Sequence, residues 1–358
     1  MTDAVDIAEP DAEPVSGDPA PAPNPRRWAR MTLGVGTVFC LGVVIAWPMS
    51  FVSAIFTGML LNGARPLPQK AALAALLIAI LSMAANWFAA QFLMTYPSVF
   101  AIAITLVLYQ LYLYGARGGH PVILVLVMIG LVLQPVLLQM SRDLAAIVGL
   151  WLILNLLIAI VASYLVFDLI RPDEDAAPKQ KAEIVLDEDR QALRMTLIVA
   201  PFALIFFSVA ASNTVTLIFV AMLTPQLSAV SQNAGKASKG LIVANLIGGA
   251  GALLANELIV MAPSLPFMCA LMICLIGGYA WAMQSSLSWA PVAQTAMNAS
   301  IVLLGSAMAP IDTEVAGKLS DRILQIVGAV AYILLAFTIV DHYLPNRPRR
   351  QERGGGPS

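Results

Sequence analysis

The amino-acid sequence predicts an all-α, polytopic integral membrane protein with about twelve transmembrane helices, arranged as two parallel six-helix repeats. Hydrophobic residues make up 59% of the 358 residues and charged residues only 11%, whereas soluble domains carry about 25% charged residues. The apolar residues are grouped into segments separated by turn or charge signals. The second half of the chain also repeats short sequences of the first half.

The repeat is visible as identical short sequences at a nearly constant separation. Arg-Met-Thr-Leu at residues 30–33 recurs at 194–197, and Ile-Phe at 55–56 recurs at 218–219. Lys-Ala at 70–71 recurs at 236–237, and Pro-Ser at 97–98 recurs at 263–264. The separation stays between 163 (218 − 55) and 166 (236 − 70) residues. Membrane transporters are often built from such duplicated bundles, with the substrate path at the repeat interface.

Each half contains six apolar segments. They lie near residues 31–48, 49–62, 70–94, 97–115, 121–140 and 143–169, and near 194–211, 213–227, 239–261, 264–283, 290–309 and 321–343. A spanning helix needs about 20 residues, so segments 49–62 and 213–227 are expected to be short, tilted or broken. Short segments at equivalent places in two halves point to a transport site.

The remaining regions define the predicted organisation. Residues 1–25 are acidic and proline-rich and predict a disordered cytoplasmic tail. The first repeat covers 26–170, and a charged cytoplasmic linker covers 171–192. The second repeat covers 193–345, and a basic cytoplasmic tail covers 346–358. With both termini in the cytoplasm, all Lys and Arg residues except Arg142, Lys318 and Arg322 fall on the cytoplasmic side, as the positive-inside rule requires.

The order of features resembles a known family. A basic helix start at Arg30 is followed by a short second segment, and a basic turn leads into a third helix rich in small residues. The closing helix of each half has an acidic residue and an arginine at its start and a glycine one to two turns later. In this chain these are Asp321-Arg322 with Gly328, and Arg142-Asp143 with Gly149.

Over about residues 27–345 the chain resembles the fusaric acid resistance-like, or aromatic acid exporter, superfamily of bacterial inner-membrane proteins. It is most similar to the short members of uncharacterised function, because it lacks the sizeable cytoplasmic domain of the larger exporters. The resemblance implies efflux of small organic compounds, aromatic anions among them, across the inner membrane. It also implies a periplasmic adaptor (membrane fusion) protein as a partner.

Glu257 is the carboxylate that lies well inside an apolar segment. A charge at mid-helix costs roughly 2.5 kcal/mol or more and often marks a proton or substrate path. The repeat equivalent of Glu257 is Gln91, and Asn256 is the polar neighbour of Glu257. One hypothesis is a proton-coupling site, for which Glu257→Gln would abolish export. The alternative is a residue near the outer helix end that reaches the lipid headgroups.

Two further sets of polar residues are candidates. Arg142 with Asp143, and Asp321 with Arg322, form either a pair of ion pairs that gates the outer mouth, or an anion site for a carboxylate substrate, or helix caps at the interface. Polar residues within the spans line a path or make interhelical hydrogen bonds. These are Asn86, Gln134 and Asn245 as the preferred path-lining residues, with Asn155, Gln110 and Gln294.

No catalytic motif, phosphate-binding loop or histidine cluster is present in the sequence. An enzyme, a metal and a cofactor are therefore not expected. As the family resemblance implies, the expected function is a proton-coupled efflux permease. The alternative is a non-transporting scaffold or assembly component of an envelope complex. The expected partners are a small organic substrate, the lipid bilayer and the periplasmic adaptor. Nucleic acid is not expected, and a homo-oligomer is compatible with the sequence.

Overall fold

The computed structural model describes residues 24–93, 95–171, 188–208 and 234–307. It also describes 328, 331–333, 335–336, 338–340 and 342–344. In this part of the chain the regular structure is helical and no strand occurs, which confirms the all-α prediction there. Both tails before residue 24 and after 344, most of the linker, segment 213–227, Asp321 and Arg322 lie outside the described residues.

The helices follow the predicted segments in order. They are α1 (Pro25–Ile45), α2 (Ser50–Leu61), α3 (Gln69–Leu93), α4 (Pro97–Ala116), α5 (Pro121–Met140), α6 (Arg142–Leu169), α7 (Glu188–Ser208), α8 (Ala234–Met261), α9 (Leu265–Ala282) and α10 (Ala293–Ala307), with a 3-10 turn at Ala290–Val292. By length and composition, seven described helices can cross a membrane, namely α1, α3, α4, α5, α6, α8 and α9. The architecture is that of a multi-pass membrane protein.

Hydrophobicity alone places the starts of some helices too late, because their first turns contain polar residues. α1 begins at Pro25 and not near residue 31, because the Asn24 side chain accepts hydrogen bonds from the N–H groups of Arg26 (3.0 Å) and Arg27 (3.2 Å). Proline is favoured at the first helical position. α1 ends before Ala46, which has a left-handed conformation with φ 55°. α7 and α8 likewise start several residues before their apolar segments.

α1, from the first half of the chain, packs antiparallel against α9, from the second half. At one end of the pair, the backbone N–H of Asn24 donates to Gln284 Oε1 over 2.7 Å. Towards the other end, Cys40 Sγ donates to the Cys269 carbonyl over 3.7 Å. The two halves are therefore interlocked through their helices.

α7, from the second half, packs in the corresponding way against α4, from the first half. Arg117 Nε, just after α4, lies 3.4 Å from Glu188 Oε2 at the start of α7. The same guanidinium lies 3.8 Å from Asp189 Oδ1 through its Nη2. These groups are exposed and contribute little stability. The pair is instead held by a buried apolar cluster that includes Leu108 and Met195.

The repeated Arg-Met-Thr-Leu sequence is buried to the same extent in α1 and in α7. The exposed fractions are 3% and 4% for Arg30 and Arg194, 5% and 3% for Thr32 and Thr196, and 43% and 44% for Leu33 and Leu197. The same face of the sequence is buried in both helices, and the same residue points outward.

The helix ends define a basic side of the bundle. Arg27 Nη2, in the first turn of α1, donates to Asn62 Oδ1 just after α2 over 2.6 Å. Arg30 Nη1 donates to the carbonyl of Arg171, just after α6, over 3.3 Å. Since the helices alternate in direction, the ends of α4 and α9 and the starts of α3, α5, α7 and α8 also lie here. Among the described Lys and Arg residues, Arg142 alone lies on the opposite side.

One buried amide holds the turn at residues 46–49 between α1 and α2. Asn155 Oδ1, on α6, accepts a hydrogen bond from the indole N–H of Trp47 over 3.1 Å. Its Nδ2 donates to the carbonyls of Pro48 (3.3 Å) and Trp151 (2.8 Å). Asn155 is fully buried. Its sequence position within a span is thus explained by an interhelical hydrogen-bond network.

Asn155→Ala is expected to destabilise the protein by about 1–3 kcal/mol, because the indole N–H and the Pro48 carbonyl lose a buried partner. The measurement is the thermal unfolding midpoint of the detergent-solubilised protein. Gln139→Ala is the control, since Gln139 is exposed on α5. Equal midpoints for the two variants would show that apolar packing alone holds the turn.

Candidate functional site

The last turn of the short helix α2 and the first turn of α10 meet beside the middle of α1. A methyl group on Gly58 of α2 would lie 3.4 Å from Gln294 Nε2 and 3.2 Å from Met297 Cε, both on α10. It would also lie 3.4 Å from Cγ2 of Val35, the middle residue of α1. We call this contact region the polar seam; it consists of Gly58, Gln294 and Asn298, which lies one turn after Gln294 on the same face of α10.

The amide groups of the polar seam lack hydrogen-bond partners. Nε2 and Oε1 of Gln294 and Oδ1 of Asn298 are buried, and none of these three atoms has a partner among the described residues. The two side chains are four residues apart and therefore lie on one face of α10. A buried amide without a partner costs about 1–3 kcal/mol. Such a group in a native protein calls for a water molecule or a ligand.

The hydroxyl groups of α2 have their protons engaged elsewhere. Thr57 Oγ1 donates to the Ser53 carbonyl over 2.7 Å, and Ser53 Oγ donates to the Ser50 carbonyl over 2.6 Å. Both side chains are fully buried. Their protons are therefore used by the backbone of α2. Sequence reasoning missed these two residues, since isolated hydroxyls in apolar helices are common.

Hydrogen bonds and close packing fix another part of α10 against α8 and α9. Ser300 Oγ donates to the Gly248 carbonyl over 2.6 Å, and Tyr279 Oη lies 2.8 Å from Ser300 Oγ. Tyr279 Oη also lies 3.2 Å from the Ile247 carbonyl. A Cβ on Gly248 would overlap the carbonyl oxygen of Ala296. α10 is thus held firmly by its neighbours while its amides line the polar seam.

The structure separates the predicted proton-coupling residues from one another. Glu257 is exposed on α8, four residues before its last residue, Met261, and Asn256 is half-buried. Gln91 is half-buried on α3, and its Nε2 is buried without a partner. α3 packs on α5, α6 and α4, whereas α8 packs on α10 and α9. Glu257 is therefore not enclosed by the protein, and Gln91 belongs to another helix group.

The residues predicted for an outer gate are described for the first half alone. Arg142 and Asp143 are exposed in the first turn of α6, where Ser141 Oγ accepts a hydrogen bond from the Leu144 N–H over 3.4 Å. A carboxylate such as that of Asp143 interacts favourably with a helix N-terminus. Asp321 and Arg322 lie outside the described residues.

The three predicted path-lining residues have different surroundings. Gln134 is buried, and its Nε2 donates to the Ala145 carbonyl over 3.2 Å, which links α5 to α6. Asn86 is half-buried on α3; its Nδ2 is without a partner and lies 3.1 Å from where a Cβ on Gly130 would be. Asn245 is half-buried on α8. None of the three is a member of the polar seam.

An open pocket of about 310 Å³ lies on the basic side, lined by Tyr114, Arg117 and the turn between α4 and α5. Beside it, burial lowers the pKa of His120, which favours the neutral ring whose Nδ1 accepts from the Val122 N–H over 3.3 Å. The Arg117 guanidinium is already paired with Glu188. The described residues contain no group of three or more His, Cys, Asp or Glu side chains placed to hold a metal ion.

No protein-family model matches this chain, and neither a curated protein nor a solved structure matches it significantly. Function is therefore inferred from the polar seam and from the way in which the helices pair.

Proposed function

We propose that this protein is an inner-membrane efflux permease for small organic compounds, coupled to the proton gradient, with the polar seam as part of its substrate path. The observation that carries the proposal is the buried amide group of Gln294, which has no partner among the described residues and lies beside the short helix α2. Polar groups that face the interior of a membrane bundle commonly mark substrate or ion paths.

The helix pairing supports two parallel repeats. If α7, α8, α9 and α10 correspond to α1, α3, α4 and α5, the pair α1–α9 corresponds to α7–α4, and α3–α5 corresponds to α8–α10. The end contacts correspond as well. Asn24 and Glu188 are 164 residues apart (188 − 24), as are the two repeated arginines (194 − 30). Their partners Gln284 and Arg117 occupy matching places just after α9 and α4.

The proposal places the basic side in the cytoplasm, because short loops rich in Lys and Arg stay inside. Both termini are then cytoplasmic, and the twelfth span includes the described helical residues near the C-terminus. There Tyr332 Oη donates to the Ile198 carbonyl on α7 over 2.7 Å. α2 has 12 residues and reaches only about 18 Å, which is less than the hydrocarbon thickness of about 30 Å.

The proposal is tested with a strain that lacks the gene. Growth is measured in the presence of aromatic and aliphatic acids and of their neutral amides, with and without a protonophore. Sensitivity to one chemical class, restored by the wild-type gene, would support export and identify that class. A flat profile, with the protein expressed and folded, would favour a scaffold in an envelope complex. Periplasmic adaptor dependence is tested in the same strain by deleting adaptor genes.

Glu257→Gln is expected to keep export near the wild-type level, because the exposed carboxylate near the end of α8 is not enclosed by the bundle. Resistance of the complemented strain is the measurement, normalised to the amount of protein in the membrane. Loss of export at an unchanged protein level would instead assign proton coupling to Glu257.

A further inference from the structure

We infer that the polar seam binds its substrate through an uncharged group with a hydrogen-bond donor and an acceptor side by side, such as a carboxamide or lactam, and not through a carboxylate anion. This inference rests on the proposed function and narrows its substrate class. It changes the expectation that the family resemblance suggests, which is an aromatic anion.

The first argument is hydrogen-bond complementarity. A primary carboxamide presents one donor and one acceptor on adjacent atoms. Nε2 of Gln294 can donate to the carbonyl of such a substrate while Oε1 accepts from its N–H, and neither atom has a partner among the described residues. If the Gln294 amide is rotated so that its oxygen and nitrogen change places, it still matches a carboxamide, because neither atom has a partner among the described residues. Oδ1 of Asn298 adds an acceptor one turn along the same face.

The second argument is the balance of donors and acceptors. An ionised carboxylate only accepts hydrogen bonds, so it could bind the amide N–H groups but would leave Gln294 Oε1 and Asn298 Oδ1 without a donor. A carboxamide also brings N–H groups, which can donate to these oxygens. The polar seam is therefore better satisfied by a carboxamide than by an anion.

The third argument is the placement of charge. Among the described residues, the buried charged side chains are Arg30 and Arg194. Both lie in the parts of α1 and α7 nearest the basic side, and the Arg30 guanidinium lies 5.0 Å from the ring centre of Phe167 near the end of α6. No cation of this set lies at the polar seam. The effective penalty for burying an ion is several kcal/mol, so an anion there would be strongly disfavoured.

The test uses the full chain, purified in detergent, with radiolabelled benzamide as the probe. Unlabelled benzamide and benzoate are the competitors, since they have nearly the same shape and differ in charge near pH 7. We expect benzamide to compete at least about tenfold better than benzoate at about pH 7. The apparent affinity of benzoate should rise by about tenfold for each unit by which the pH is lowered toward the carboxyl pKa, because only its protonated fraction binds.

Two variants tie this binding to the polar seam. Gln294→Leu removes the amide, and Gly58→Ala keeps it but places a methyl group 3.4 Å from its Nε2. Both are expected to weaken benzamide binding by about tenfold or more, while Gln139→Leu on the exposed face of α5 retains it. A monodisperse size-exclusion profile confirms that each variant is folded.

Three results would overturn the inference: benzoate competing as well as benzamide near pH 7, no benzamide binding to the wild-type chain, or unimpaired binding by both seam variants. Failure of the proposed function would have a different signature. In that case the deletion strain would show a flat growth profile for acids and amides alike.

Discussion

Gln294→Leu is expected to abolish export and at the same time to raise the thermal stability of the protein. Both polar atoms of the Gln294 side chain are buried and without a partner in the described structure. Leucine has a similar volume and removes that desolvated amide, which costs about 1–3 kcal/mol. A residue retained for stability would show the opposite change. The paired outcome therefore separates a substrate-binding role from a packing role.

Two measurements on the same variant check this expectation. The unfolding midpoint in detergent reports stability, and the growth of the complemented deletion strain reports export. Gln139→Leu, at an exposed position of α5, controls for the general effect of replacing glutamine by leucine. A lower midpoint together with intact export would mean that the amide of Gln294 is structural.

Gly248→Ala is expected to destabilise the protein by forcing α8 and α10 apart. Its Cβ would overlap the carbonyl oxygen of Ala296 and would lie 2.8 Å from Cβ of Ala299. A backbone carbonyl cannot rotate away as a side chain can, so α8 and α10 would have to separate. The 2.6 Å hydrogen bond from Ser300 to the Gly248 carbonyl would then lengthen. Small residues permit such close helix contacts in membranes.

The expected loss is about 1–3 kcal/mol in the unfolding free energy, measured by thermal unfolding in detergent. Gly278→Ala is the matched control, because a Cβ there has no atom within 4 Å. In the control, alanine should be neutral or stabilise the helix by up to about 1 kcal/mol. Similar midpoints for the two variants would contradict the close contact between α8 and α10.

The helix boundaries predicted from the local sequence agree with the structure for some helices and not for others. The segment predicted at 121–140 is the observed α5, since Pro121 and the turn at Ser141 mark both ends. α1, α7 and α8 begin earlier than predicted, because their first turns are polar and hydrophobicity does not detect them. In α1 a capping side chain, Asn24, defines that start.

The candidate site was harder to predict. Glu257 stands out in the sequence because a carboxylate in an apolar segment is conspicuous, yet its side chain is exposed. Gln134 and Gln294 look alike in the sequence, as glutamines within apolar spans. In the structure Gln134 donates through its Nε2 to a carbonyl of the next helix, whereas neither polar atom of the Gln294 side chain has a partner among the described residues. The difference depends on neighbours that are distant in the sequence.

The sequence by itself determined that this is an all-helical membrane protein, and it showed the repeated Arg-Met-Thr-Leu sequence that α1 and α7 share. Only the tertiary structure decided that α1 pairs with α9 and α7 with α4. An apolar helix face is compatible with lipid as well as with another helix, so hydrophobicity does not select a partner. The shapes of the two helix surfaces select the partner. For example, a Cβ added to Gly36 of α1 would lie 3.0 Å from Ile273 of α9.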